Sequence, residues 1–313
     1  MTFTTKLAVK SAVVLAASAL ALTACTNASE TGGGAQPSGS GSAGASFDPS
    51  SVKKDDSLAS QVPAAIKSKG TLTVGSDTTY APAEFLGGSD NHTPMGYDVD
   101  LAKAIGATLG LKVDVETAEF TGILPALGPK YDLGISSFTI TKERLGAVNF
   151  VSYFNAGVSW AVQKGNPKKF SVDDVCGKSV GVQTGTTEAD EVKALSDKCT
   201  AGGKKAVDIV SLDKQTDLNT RLVNGALDAM SADSPVISYA ITQTNGAVEK
   251  IGDTTEVAPE GIAIAKGDTA LADLIQKTVT KLIADGTYKK ILDTWNNSEG
   301  AVTKAELNPS VSS

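Results

Sequence analysis

Arg144 and Asp233 stand near junctions of strand and helix, and their side chains suit a carboxylate and a cation respectively. Of the 28 basic residues only two are arginines, Arg144 and Arg221, so arginine at position 144 stands out against a lysine background. Arg144 lies one turn into a helix opened by Thr141, just past the strand-like stretch YDLGIS. Its planar guanidinium matches a carboxylate with two parallel hydrogen bonds, which a lysine cannot do. A surface arginine serving a helix dipole is the plainer alternative. Asp233 precedes Ser234-Pro235, a pair that can already supply a helix cap and first turn. Its carboxylate is thus free to face a cleft, unless it is an ordinary turn aspartate.

Further polar groups gather where strands stop and helices start. Ser137 and Thr139 stand two apart at a strand end, where an extended backbone points both to one side; turn capping is the alternative. Thr184-Gly185-Thr186-Thr187-Glu188 ends a strand and opens a helix, whose exposed N–H groups attract an anion. Thr186 can equally serve as that helix's cap. Asp77 and Glu84 flank Tyr80, and Gln183 precedes the threonine loop. Turnover needs a positioned acid or base. Glu84 is a conceivable one, but the single histidine, His92, sits in a polar loop, and no nucleophile–base pair stands out. No Cys-x-x-Cys occurs, and neither a metal nor a cofactor is expected.

Positioning these groups requires alternating strands and helices, and the pattern supplies them. Residues 71–75, 111–117 and 131–136 read as strands. Residues 98–109 read as an amphipathic helix closed by Gly110, and shorter helices begin near Thr121 and Thr141. The second half repeats the style, with strands at 179–183, 207–211 and 227–231 and helices at 187–195, 218–224 and 235–242. A helix over 270–284 is broken by Asp285-Gly286, and a last helix ends near Trp295. This alternation indicates α/β architecture with open, largely parallel sheets, in which ligands bind beyond the carboxyl ends of strands.

The ends of the chain concern location. Lys6 and Lys10 are the only charges in the first 29 residues, and an apolar run precedes Leu22-Thr23-Ala24-Cys25. That is the pattern of an export signal, too short to span a bilayer. Residues 26–57 are rich in Gly and Ser and read as a flexible tether. Without Lys6 and Lys10 the chain carries 26 basic against 35 acidic residues, with no basic stripe, so nucleic acid is not expected as a partner. In an exported chain the remaining Cys176 and Cys199 are expected to pair. Residues past Asn296 read as a polar tail.

The stretches TLTVGSDTTYAPAEF, GYDVDLAKAIGATLGLKV, FTGILPAL, YDLGISSFTITKER, VGVQTGTTEAD, LDAMSADSPV, GIAIAKGD and ADGTYKKILDTW occur in an order that resembles the family 3 extracellular solute-binding proteins. These are polar amino acid receptors of ABC importers, and the resemblance covers about residues 70 to 296. It implies a two-lobe, periplasmic-binding-protein-like (type II) fold with a hinge and an interlobe cleft. The lobes implied are residues 58–158 plus 262–296 and residues 159–261, with crossings near 157–162 and 257–262. Arg144 would grip the ligand's α-carboxylate, helped by Ser137, Thr139 and the loop of Thr186 and Thr187. Asp233 would pair with the α-ammonium. Tyr80 and Phe120 would wall the side chain, unless they merely pack in the core. Asp77 and Gln183 would touch its distal end, Asp77 favouring an amide or a cation. Ala83 replaces the family's frequent aromatic. Cys25 resembles a lipobox cysteine, implying a lipid-anchored, extracytoplasmic monomer that serves a permease and its ATPase subunits. The same fold resemblance extends to dehydratases acting on cyclic carboxylic acids. A receptor that reports to a signalling partner is a third alternative.

Overall fold

The structure is a computed structural model that describes Thr2 and residues 47–312. The expected export signal, Cys25 and the tether up to residue 46 lie outside the described residues. The rest of the expected tether, 47–57, is packed on the body. Its Phe47 N–H donates to Asp100 Oδ2 at 2.9 Å, and Asp55 caps a short helix by accepting from Leu58 N–H at 3.1 Å.

The helices are α1 (Asp56–Ser60), α2 (Ala64–Lys69), α3 (Tyr97–Leu109), α4 (Phe120–Ile123), α5 (Lys142–Ala147), α6 (Thr187–Ala201), α7 (Gln215–Val223), α8 (Ser234–Gln243), α9 (Thr269–Ala284) and α10 (Thr287–Thr294). The strands are β1 (Thr71–Ser76), β2 (Thr79–Tyr80), β3 (Glu84–Gly87), β4 (Thr93–Met95), β5 (Lys112–Thr117), β6 (Leu133–Gly134), β7 (Val148–Gln163), β8 (Ser179–Gln183), β9 (Asp208–Leu212), β10 (Ala229–Asp233) and β11 (Val248–Ala265). Helix α3 stops where Gly110 takes the left-handed conformation that glycine tolerates, φ 69°. Strands β2 to β4 form a small antiparallel sheet that no periodicity announced, and it carries Tyr80 and Glu84.

One lobe gathers β5, β1 and β6, all parallel; the other gathers β10, β8 and β9, also parallel. Two separate sheets would be the simplest way to build two lobes. The hydrogen-bonded ladder is instead single, in the order β5-β1-β6-β11-β7-β10-β8-β9. It is single because β7 and β11 run 16 and 18 residues and serve both lobes. Their pairing at Phe150↔Ala263 belongs to one lobe and at Trp160↔Ile251 to the other, with register breaks between. The expected crossings near 157–162 and 257–262 lie within these two long strands. Gly157 lets them approach: a Cβ there would lie 2.7 Å from the Thr255 carbonyl oxygen.

The expected polar tail is also pinned. Leu307 bridges to Val151 and Ala301 to Phe154, and Ser152 N–H donates to Glu306 O at 2.9 Å. Strand β10 pairs with β7 only over residues 158–161, so the tail covers the edge that β7 otherwise presents.

Cys176 and Cys199 form a disulfide, which ties the approach to β8 to the end of α6. It encloses the loop that carries Thr186. Changing both cysteines to serine is expected to lower stability by about 3 kcal/mol on the loop-entropy argument. Denaturant unfolding under non-reducing conditions checks this; an unchanged midpoint would contradict it.

Candidate functional site

The carboxyl ends of β1, β6, β8 and β10 converge on one narrow cavity. All ten residues expected to bind ligand line it: Asp77, Tyr80, Phe120, Ser137, Thr139, Arg144, Gln183, Thr186, Thr187 and Asp233. Glu84, Ser136 and Glu188 complete the wall. Ser136 and Glu188 lay within polar clusters visible in the sequence, but nothing in their spacing singled them out.

Arg144 is set by the start of α5. Thr141 Oγ1 accepts from Arg144 N–H at 3.2 Å, fixing the first turn and sending the long side chain back over the strand end. Its Nη1 donates to Thr139 O at 2.8 Å and its Nη2 to Gly185 O at 3.1 Å, so it touches both lobes. The guanidinium also lies 5.4 Å from the centre of the Phe120 ring, which itself stacks on Phe138. Both protein contacts are neutral carbonyls. Burial pulls the guanidinium below its ordinary value, and Glu188 and Asp233 oppose that shift from a distance.

Asp233 occupies the cap position of α8, yet its side chain makes no cap hydrogen bond. Ser234 is the first helical residue rather than the cap, and the Asp233 carboxylate is nonetheless free of capping duty. Tyr80 Oη donates to Asp233 Oδ2 at 2.8 Å and accepts from Asp233 N–H at 3.1 Å, another link between lobes. Tyr80 therefore holds an acid as well as forming a wall. Burial, then Glu188, raises the Asp233 carboxyl well above the usual carboxylate range.

Thr186 is the α6 cap, accepting from Ala189 N–H at 3.2 Å while donating to Gln183 O at 2.8 Å. Thr187 is left at the helix mouth, its Oγ1 3.4 Å from Thr139 Oγ1 across the cleft. Gly185 permits that closeness: its φ is +78°, and a Cβ would lie 2.5 Å from Thr121 Cγ2. Ser137 departs from expectation. It is not extended but left-handed, φ 46°, and its N–H donates to Asp98 Oδ2 at 3.0 Å. Ser137 and Thr139 therefore reach the cavity by a turn rather than by strand alternation.

Asp77 accepts from Gln183 Nε2 at 2.8 Å and from Phe120 N–H at 3.2 Å, so the two residues expected at the distal end are in contact. Asp77 N–H donates to Ser136 Oγ, which donates to Glu84 Oε1, each at 2.9 Å. Behind them lies Asp98, whose negative charge raises the buried Glu84 further, and Tyr153 Oη donates to Asp98 Oδ2 at 2.6 Å. Burial raises Asp77 and Glu188, lifts Glu84 well above the usual range, and moves Asp98 to about 6. Four carboxyl side chains and one guanidinium thus share the cavity wall. Burial holds these acids toward their neutral forms, and positive charge brought by a ligand would draw them toward ionisation.

The profile of the bacterial extracellular solute-binding proteins, family 3, matches residues 72–298. The arginine-binding protein ArgT of Corynebacterium glutamicum is 32% identical over 253 residues, 80% of this chain and 82% of that protein. Among solved structures, an ancestral arginine-binding protein bound to arginine is 38% identical with a TM-score of 0.66, over 72% of this chain and 98% of the other. An ancestral amino acid-binding protein, a precursor of cyclohexadienyl dehydratase, is 35% identical with a TM-score of 0.66, over 74% and 97% of the two chains. The architecture is accordingly the two-lobe, periplasmic-binding-protein-like α/β fold, with the cavity between lobes.

Proposed function

The chain belongs to the bacterial extracellular solute-binding proteins, family 3, and on that footing we propose that it captures a cationic amino acid, L-arginine first among them, for an ABC importer. The observation that carries the choice of ligand is the acid content of the cavity wall: Asp77, Glu84, Glu188 and Asp233 beside Arg144, acids that a cationic ligand would help to ionise. An α-carboxylate meets Arg144 and the N–H groups at the mouth of α6. The α-ammonium meets Asp233, held by Tyr80. The cationic side chain runs between the aromatic faces toward Asp77 and Glu84. Relatives described as arginine-binding support this reading. Residues 58–158 with 262–296 move as one lobe against 159–261, and bending of β7 and β11 closes them. Arg144 bonds the far lobe through Gly185 and Asp233 does so through Tyr80, so closure assembles the site.

Binding proceeds here without turnover. The cavity acids balance charge around a zwitterion, and the hydroxyls bonded to them, Ser136 on Glu84 and Tyr80 on Asp233, hold those acids in place. Incubating the protein with ligand and recovering the ligand unchanged tests this; a converted product would favour the dehydratase alternative that one structural neighbour brings to mind. The ligand itself is tested by a thermal-shift screen of the purified chain against the common amino acids. A ligand that binds only the folded state raises the melting temperature with concentration. L-arginine should give the largest shift, and a larger one from an acidic amino acid would sink the assignment.

The protein acts as a lipid-anchored monomer outside the cytoplasmic membrane, held by acyl chains on Cys25 after removal of residues 1–24, and delivers its ligand to the permease. The support is the signal-like start and the small residues before Cys25. No helix among the described residues is long and apolar enough to cross a membrane. Cys25→Ser is expected to release the protein from membranes and leave ligand affinity as it was, measured by fractionation and titration. Retention on the membrane would mean the anchor lies elsewhere.

A further inference from the structure

Thr79 lies on β2, beside the cavity but not among the side chains that line it. Its Oγ1 donates to Asp77 Oδ1 at 2.7 Å, and its N–H donates to the same oxygen at 3.1 Å. The same Oγ1 accepts from Gln215 N–H at 3.3 Å. Gln215 opens α7, and the cap residue before it, Lys214, makes no side-chain cap hydrogen bond. The first N–H groups of a helix have no partner within it. Here one of them is satisfied by a threonine 136 residues earlier in the chain.

Thr79 and Asp77 belong to segment 58–158 and Gln215 to segment 159–261, so this bond crosses the cleft. A second crossing lies beside it. Gln183 Nε2 donates to Asp77 Oδ2 at 2.8 Å and to Asp213 O at 2.9 Å. Both crossings therefore join the one carboxylate of Asp77 to residues 213–215, where β9 gives way to α7. A hydroxyl has a single proton, and Thr79 gives its own to Asp77. Donation thus runs one way, from Gln215 N–H through Thr79 to Asp77. Burial raises the Asp77 carboxyl, and the Thr79 hydroxyl is the first of the bonds that oppose it.

We propose that Thr79 is a positioning residue for ligand capture: its hydroxyl joins the start of α7 to the Asp77 carboxylate across the cleft, so that closing the lobes and aiming Asp77 at the ligand's side chain are one event. This rests on reading the cavity as an amino acid site with Asp77 at the distal end. Opening breaks the bond from Gln215 and withdraws Gln183. Asp77 is then held by its own lobe alone, through Thr79 and the Phe120 N–H. Closing fixes the Thr79 hydroxyl from behind and both Asp77 oxygens with it. A cationic side chain gains twice, from the closed form and from the aimed carboxylate, because a charge-assisted hydrogen bond is strong only in good geometry. A neutral side chain of the same shape gains chiefly from closure.

The test measures association and dissociation rates of L-arginine and of L-citrulline, its uncharged isostere, on the purified chain, Thr79→Val and Thr79→Ser, with melting temperature as a control for folding. Valine keeps the branched shape and loses the hydroxyl. It should weaken arginine on the order of tenfold and citrulline about threefold, in both cases by faster dissociation. Serine keeps the hydroxyl and should restore the parent's rates and preference. Gln215→Pro removes the same bond from the far lobe, at a first helical position where proline is tolerated, and should lower the preference for arginine as valine does. Equal losses for the two ligands would mean a latch that does not aim Asp77, and a loss confined to arginine would mean aim without a latch. Either overturns the proposal, as does a serine variant that behaves like valine or a proline variant with the parent's preference. The two readings fail differently: arginine not binding the parent sinks the amino acid site, whereas a valine variant that matches the parent sinks only the role of Thr79.

Discussion

Arg144→Ala is expected to abolish measurable binding of L-arginine, and Arg144→Lys to weaken it severely. Truncating one partner of a buried, hydrogen-bonded charge pair costs on the order of 2–5 kcal/mol, or about 30-fold to several thousand-fold in affinity. Alanine should sit at the upper end, because Arg144 has two tasks. In the proposed site it faces the ligand carboxylate, and it bridges the lobes by bonding Thr139 O and Gly185 O. Lysine restores the charge but not the fork, so it cannot serve both carbonyls and a carboxylate at once. The loss should appear as faster dissociation, since the contact is buried rather than at the rim. Titration of both variants checks this, with melting temperature as a control for folding. Affinity in Arg144→Ala within a few-fold of the parent would place the carboxylate elsewhere.

Asp233→Asn is expected to cost nearly as much, on the order of 2–5 kcal/mol, for the opposite end of the zwitterion. Asparagine keeps the shape and can still accept from Tyr80 Oη, so the link that closes the lobes survives. What is lost is the charge facing the α-ammonium. The signature is therefore selective. L-arginine should lose affinity sharply, while an analogue lacking the α-amino group, already weak on the parent, should change little. A double-mutant cycle between protein and ligand isolates that term. Equal losses for both ligands would show that Asp233 acts by holding the fold or the closed form.

Much of this site was legible before the structure because its residues stand at element boundaries with local signals. Thr141 as a cap, a lone arginine three residues on, and the threonine run after SVGVQ place Arg144 and Thr186 without tertiary information. Gly110 likewise marks the end of α3. Other features depend on contacts that the sequence does not display. Strands β2 to β4 have two to four residues each, too short for a period, so the local framework around Tyr80 and Glu84 was hidden. The run VNFVSYFNAGVSWAVQ is nearly all apolar, which suits a strand buried on both faces but does not say that it serves two lobes. The tail reads as polar because its anchors are isolated: Ala301, Ala305 and Leu307 bind it to β7 and its surroundings among charged neighbours. Ser137 was misjudged in backbone geometry, since its left-handed φ is imposed by the bond from its N–H to Asp98 rather than by residue type.

The fold also explains why the acids tolerate one another. Asp77 follows β1, while Glu84, Asp98, Glu188, Asp233 and Glu260 come from five different elements, and each of the six is buried. Protonation and hydrogen bonds from Thr79, Ser136, Tyr153 and Tyr80 moderate the repulsion. A ligand with two positive charges replaces protons with a stronger counter-charge. Stability and recognition are therefore coupled in this region, and ligand should stabilise the protein more at neutral pH than in acid.

The most direct test of the zwitterion clamp is one competition titration on the purified chain, with L-arginine bound and agmatine, which lacks the α-carboxylate, as the competitor. L-arginine should bind one to one. Agmatine keeps the guanidinium for Asp77 and Glu84 but offers nothing to Arg144 or the mouth of α6, and it should displace arginine only at concentrations at least about 30-fold higher. Agmatine competing as well as arginine itself would contradict the account, because the cavity would then be reading the cationic side chain alone.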